Sequence, residues 1–110
     1  MTTFDDREKA LENRFFRDQE LEFKVVAKRR KFLGMWAAER MHKTEEETLK
    51  YALDIVRLGI EDSSEGAVVN RILADMQAAG LNITEAEVRE KMDDLEMKAR
   101  KQIAEEYGAK

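Results

Sequence analysis

No cysteine occurs in the 110 residues, which excludes a disulfide framework, thiolate metal ligands and a cysteine nucleophile together. Proline is absent as well and glycine occurs only five times, so the chain holds few of the residues that tight turns between strands require. A single histidine, His42, leaves any Ser-His-Asp arrangement one choice of base. Ser63 and Ser64 lie in a polar stretch without the strand-to-helix elbow that exposes a nucleophile. The glycines stand apart at 34, 59, 66, 80 and 108, so neither usual form of phosphate-binding loop is spelled. No apolar run approaches the roughly 20 residues of a membrane span, and the opening Met1-Thr2-Thr3-Phe4-Asp5-Asp6 is acidic where a secretory or transit signal is basic. A protein of the cytoplasmic side is expected, with no membrane insertion, no cofactor and no enzymatic activity of its own.

What remains is 43% hydrophobic and 40% charged, the balance of long solvated helices around one core, so an all-α fold is expected. The net charge of -4 is unevenly spread: residues 1–43 carry 11 Lys+Arg against 8 Asp+Glu, whereas residues 44–110 carry 9 against 16. That basic excess is too mild to indicate nucleic acid.

Thr3 with Asp6 three residues on is a short-carboxylate form of the capping box, and nothing before His42-Lys43-Thr44 forces a stop. A first helix from about Asp5 to Met41 is therefore predicted, with Gly34 marking close backbone packing rather than a break, and with Trp36 in the core. Thr44-Glu45-Glu46-Glu47 is a full capping box, opening a second helix to about Gly59. Its stripe is Leu49, Ala52, Leu53, Val56 and Ile60, widened by Tyr51, Ile55 and Leu58, and it is expected to be the most buried helix. Asp62-Ser63-Ser64-Glu65 offers a third box before the stripe Val68, Val69, Ile72, Leu73, Met76, which ends at Gly80. Thr84-Glu85-Ala86-Glu87 opens a fourth helix with Val88, Met92, Leu95, Ala99 and Ile103 inward, lasting to Tyr107-Gly108. Short connections favour antiparallel neighbours, so the architecture is a four-helix bundle.

A first helix running from Asp5 is about 55 Å long, against roughly 25 to 35 Å for the others, so something overhangs. Val25, Val26, Phe32, Leu33, Trp36 and Ala37 are the bundle's share of that helix, and the N-terminal segment is the part that extends from or frays off it. On that segment Phe4, Leu11 and Phe15 fall on one helical face, the form of a helix that a partner's groove completes. The plainer alternative is a fold-back near Gln19-Glu20 that packs Phe15 and Phe16 on the bundle.

Other chemistry is thin. Glu39-Arg40-Met41-His42 spells the Glu-x-x-His of di-iron bundles, but one histidine cannot complete such a site, so no metal is expected. Lys28-Arg29-Arg30-Lys31 is the single basic cluster. Four consecutive residues point around most of a helix, which suits a solvated surface better than a phosphate-binding face.

Several stretches resemble one family. They are Met1-Thr2-Thr3-Phe4-Asp5-Asp6-Arg7-Glu8, Leu21-Glu22-Phe23-Lys24 with Arg29-Arg30, Leu33-Gly34-Met35-Trp36-Ala37-Ala38, Lys43-Thr44, Tyr51-Ala52-Leu53 and Arg89-Glu90-Lys91-Met92. Together they are similar to the zeta subunit of alphaproteobacterial F-type ATP synthases. The resemblance implies an inhibitor of ATP hydrolysis by the catalytic head of alpha, beta and gamma subunits, peripheral to the inner membrane when bound. It implies a four-helix bundle over residues 20–110 carrying an inhibitory segment over residues 1–19, with Phe4, Asp5, Asp6, Arg7 and Glu8 matching the family's opening. Leu11 and Phe15 join them through the stripe alone. The rival readings are a helical regulatory module for another protein partner and a nucleic-acid-binding bundle using Lys28 to Lys31.

Overall fold

The computed structural model describes residues 19–107, and among them four α-helices and no strand. They are α1 (Gln19–Arg40), α2 (Glu45–Glu61), α3 (Glu65–Ala78) and α4 (Glu85–Glu106). The start of the first helix before Gln19 and its Thr3 box lie outside the described residues.

α1 ends in a Schellman turn. Lys43 N–H donates to Ala38 O and His42 N–H to Glu39 O, each at 3.1 Å, with His42 in the left-handed region at φ 59. A residue at that position has left the helix, so Glu39 and His42 do not share a helical face. α2 opens on the box expected of it: Thr44 Oγ1 accepts from Glu47 N–H at 3.2 Å, and Glu47 Oε1 accepts from Thr44 N–H at 2.8 Å. α4 opens on half of one, because the Thr84 hydroxyl accepts from Glu87 N–H but faces the Glu87 carboxylate itself, leaving the backbone of Thr84 unpaired by that side chain. The third box does not form. Asp62 Oδ1 instead accepts from both the N–H and the hydroxyl of Ser64, at 3.0 and 2.7 Å, and α3 starts after Ser64 without a side-chain cap. Gly80, at φ 87, closes α3 through a second Schellman turn, with Leu81 N–H on Met76 O.

These caps carry charge. The bonds from Thr44 hold the Glu47 carboxyl below its usual value of 4.5, and those from Ser64 lower Asp62 likewise. A depressed folded pKa contributes stability above the unfolded value and loses it as pH falls through the folded one. The Glu47→Gln chain is therefore expected to show a flatter decline of melting temperature than the wild type between about pH 5 and about pH 2, followed by circular dichroism.

The main core joins all four helices: Leu33, Ala37 and Ala38 of α1, Tyr51 and Ile55 of α2, Val68, Val69, Ile72 and Met76 of α3, and Val88, Met92 and Leu95 of α4, with Ile83 from the connecting loop. Trp36 is partly buried against it. A smaller cluster lies toward the start of α1, where Val25 meets Ala99 and Ile103 with Leu21 and Phe32 alongside; no α2 or α3 residue belongs to it. The stripes read for α3 and α4 are thus the packed ones, Leu73 being only half covered.

For α2 the stripe is misphased. Leu49, Leu53 and Ile60 are exposed at 46, 57 and 59%, and the buried positions are Thr48, Tyr51, Ala52, Ile55 and Gly59. The reason is the approach of α1. A Cβ at Gly34 would stand 2.9 Å from Ala52 Cα and 3.3 Å from Ile55 Cβ, so the backbones meet where only small residues fit. The large side chains of α2 turn outward in consequence, and it is not the most buried helix expected of it: α1 buries seven residues against its five.

Candidate functional site

The residues that the sequence points to, Phe4, Asp5, Asp6, Arg7, Glu8, Leu11 and Phe15, lie outside the described residues. The bundle itself holds the helix into which they lead, and three of its features bear on function.

The first is the fate of the basic cluster. Lys28 Nζ pairs with Glu106 Oε1 at 2.9 Å, and Arg29 Nη1 with Glu96 Oε1 at 2.9 Å; Arg29 and Arg30 are only 7 and 8% exposed. Arg30 lies flat over α2, where a methyl group at Gly59 would overlap its Nε, Cδ and Cζ. On the neighbouring turn Arg100 grips Glu22 with two nitrogens, at 2.8 and 3.1 Å, and that carboxylate raises the arginine's pKa further. Three of the four basic side chains are thus spent on holding α1 against α2 and α4. A nucleic-acid face would need them in solvent.

The glycine that admits Arg30 had no sequence signal, since Gly59 reads as a helix terminator and proves to sit inside α2. Gly59→Ala gains about 1 kcal/mol of helix propensity and loses the seat of Arg30. In an Arg30→Ala background only the gain remains. A double-mutant cycle by chemical unfolding is expected to show coupling of about 1 kcal/mol, with Gly59→Ala more favourable when Arg30 is gone.

The second feature is a polar junction at the edge of the core, where the buried Tyr51 meets two half-exposed side chains. Tyr51 donates its hydroxyl to Asp75 Oδ2 at 2.7 Å, Arg71 Nε donates to the same oxygen at 2.8 Å, and Lys43 Nζ stands 5.7 Å from the Tyr51 ring centroid. Burial first and the carboxylate second push the phenol well above its ordinary range, so it is a fixed donor. The junction ties α2 to α3. Among the described residues no group of His, Cys, Asp or Glu is placed to hold a metal ion, and no helix is long and apolar enough to cross a membrane.

The third is an apolar surface. The outward α2 residues Leu53 and Ile60 flank Phe23 of α1, itself 57% exposed. Phe23 borders two grooves. One, of about 510 Å³, has Ala27 at α1, Val56 and Leu53 on the α2 side, and Ile103 and Tyr107 on the α4 side. The other, of about 420 Å³, runs along the seam of α1 and α2 past Val26, Gly59 and Ile60, and Gln19 lies on its lip.

A helical bundle whose basic cluster on α1 is largely absorbed in packing, and whose surface is apolar around the root of that helix, is a protein-interaction module. The family comparison gives that class its particular member: residues 1–102 match the family described as ATPase inhibitor subunit zeta, and the chain belongs to that family. It is also similar to a protein of solved solution NMR structure, at 32% identity and a TM-score of 0.68, over 78% of this chain and 98% of that one. No curated protein matches it. Membership makes it an inhibitor subunit associated with the ATP synthase.

Proposed function

We propose that this chain blocks ATP hydrolysis by inserting residues 1–19 as a helix into a catalytic interface of the synthase head, with the alpha, beta and gamma subunits as its partners, on the cytoplasmic side of the inner membrane. The observation that carries the proposal is the extent of the family match: it begins at residue 1, so the segment ahead of the bundle is as much a family feature as the bundle is. Among the described residues, the two core clusters are built from residues 21–103.

The mechanism is steric. Hydrolysis requires the catalytic interfaces to open and close in turn, and a helix that makes contacts in only one of those states holds the population there. Phe4, Leu11 and Phe15 supply apolar burial. Asp5, Asp6, Arg7 and Glu8 set orientation and encounter rate, so association is salt-sensitive more than final affinity is.

The test is the ATP hydrolysis rate of an isolated alphaproteobacterial synthase head, depleted of its own inhibitor and titrated with the full chain. The expected result is a saturable fall to a low residual rate. A rate that stays level at every concentration, while a pull-down still retains the chain on the head, would overturn the wedge and leave a subunit that docks without blocking.

A further inference from the structure

We infer that the outward face of α2, with the face of α1 beside it, is a docking surface for a helix of another protein chain, one that presents an apolar ridge between acidic flanks. The inference does not depend on the reading of residues 1–19.

Spacing points to a helix as the occupant. Leu49, Leu53, Val56 and Ile60 follow one another at intervals of four, three and four, the repeat by which one helix meets a second along a narrow line. In α2 that line is turned away from the core: Leu49, Leu53 and Ile60 are exposed, and Val56 is half-buried in the wall of the wider groove. From Leu49 to Ile60 the ridge is about 16 Å long, or about three helical turns. Phe23 of α1 stands beside it, and the two grooves that Phe23 borders lie along its α1 side. α3 lines neither of them, so among the described residues no helix closes this side of the bundle. A ridge beside a groove is the form in which helices interlock.

Charge selects the kind of helix. Lys50 and Arg57 each follow a ridge residue directly, and both are exposed, so they make the outer edge of the surface basic. On the α1 edge, Lys24 and Lys31 line the wider groove. Glu106 in that groove is held by Lys28, which leaves Glu20, one turn before Lys24, as its other acidic residue. Among the described residues Lys31, Lys50 and Arg57 make no hydrogen bond or ion pair, although Glu46 and Glu61 stand one helical turn from Lys50 and Arg57. Three cations of the two edges are thus available to a partner, and acidic flanks complement them.

The same edges reject a second copy. Two such faces laid antiparallel bring Lys50 and Arg57 of one against those of the other, and laid parallel they bring them against Lys24 and Lys31, like charges in both cases. An anionic lipid surface fits less well than a helix. Asp54 and Glu61 lie just beyond Lys50 and Arg57 around α2, where a broad sheet of headgroups would meet them and a single helix leaves them in water.

The probes are two designed peptides of about three heptads, with leucine along the ridge and either glutamate or lysine on both flanks, titrated into the full-length chain. The glutamate-flanked peptide is expected to bind saturably in the micromolar range and to shift the methyl resonances of Leu49, Leu53, Val56 and Ile60, leaving those of Ile72 and Val88 in the core unmoved. The lysine-flanked peptide is expected to bind about tenfold more weakly or worse. The net charge of -4 favours the opposite order, so the preference reports the local edges. Lys50→Glu with Arg57→Glu, at exposed positions, is expected to reverse that order, which a merely destabilised chain would not do. Leu53→Ser is expected to weaken binding about tenfold with the melting temperature held. No binding at hundreds of micromolar, equal binding of the two peptides, or shifts confined to other faces would overturn the inference. So would a dimer of the free chain that Leu53→Ser dissolves, which would give the face to a second copy. Co-sedimentation with phosphatidylglycerol vesicles that the charge-reversed chain loses would likewise give it to lipid.

Discussion

A full-length chain carrying Leu11→Asp and Phe15→Asp is expected to lose inhibition of ATP hydrolysis by about a hundredfold or more in half-inhibitory concentration, while melting within a degree or so of the wild type. The size follows from the chemistry of the stripe. Burying a Leu or Phe side chain in a partner's groove contributes about 1.5 to 3 kcal/mol, and each 1.4 kcal/mol is tenfold in affinity, so losing both anchors removes at least two powers of ten. A carboxylate in their place adds a desolvation penalty if the helix inserts anyway. The melting temperature is expected to hold because, among the described residues, a buried core running from Val25 to Ala104 already packs the four helices against one another. Equal inhibition by this chain and the wild type would remove the stripe from the mechanism and leave Asp5 to Glu8 as the contact.

The largest effect on stability is expected at Gly34. Gly34→Ala is expected to destabilise the bundle by about 1 to 2 kcal/mol and Gly34→Val by about 3 kcal/mol or more, read by chemical unfolding. Two terms compete. Replacing a helical glycine by alanine normally gains about 1 kcal/mol of propensity. Against that, the new Cβ stands 2.9 Å from Ala52 Cα, a backbone atom of the facing helix that has no rotamer by which to retreat. The helices must part, and every contact along the seam of α1 and α2 loosens with them. A branched residue adds a second methyl to the same space. At about 4 to 8 °C per kcal/mol for a domain of this size, the valine chain should melt more than about ten degrees early. Gly66 is the control: a Cβ there meets nothing within 4 Å, so Gly66→Ala retains only the propensity term and is expected to stabilise by up to about 1 kcal/mol. The same substitution thus changes sign with position, and two destabilising results would mean that packing at Gly34 is not the cause.

The sequence reveals local punctuation well and the phase of a two-faced helix badly. Thr44 and Thr84 are visible as helix starts because a capping residue acts on the backbone two or three places away, whatever the tertiary fold does. The same locality misleads at Asp62, where a nearer competitor, Ser64, takes the carboxylate before a helix N-terminus can. α3 and α4 each have one apolar face, so periodicity finds it. α2 has two: Tyr51, Ala52, Ile55 and Gly59 on one side, Leu49, Leu53, Val56 and Ile60 on the other. Counting hydrophobicity favours the larger residues, whereas the core selects the smaller ones because α1 comes close. That selection depends on Gly34 and Arg30, residues some 20 to 30 places earlier, and no local window contains it. The recessed site of Arg30 was illegible for the same reason. Family membership was legible through the resemblance of the opening octet and the Leu33 to Ala38 stretch, while the apolar surface around Phe23 emerged only once α2 had been turned to its true phase.

The way α1 is held decides how the bundle bears a load. Its helix is braced along its length, by Glu22 to Arg100, Lys28 to Glu106 and Arg29 to Glu96 on one flank and by the Gly34 contact on the other. A pull applied to Gln19 along the helix axis therefore shears all of these contacts at once instead of peeling them one by one. Shear is the strong direction of a helical pair, as it is of a glued lap joint. A load carried through Gln19 thus meets an anchor that yields as a unit or stays, and the rigid end of α1 is the fixed point from which the preceding segment is hung.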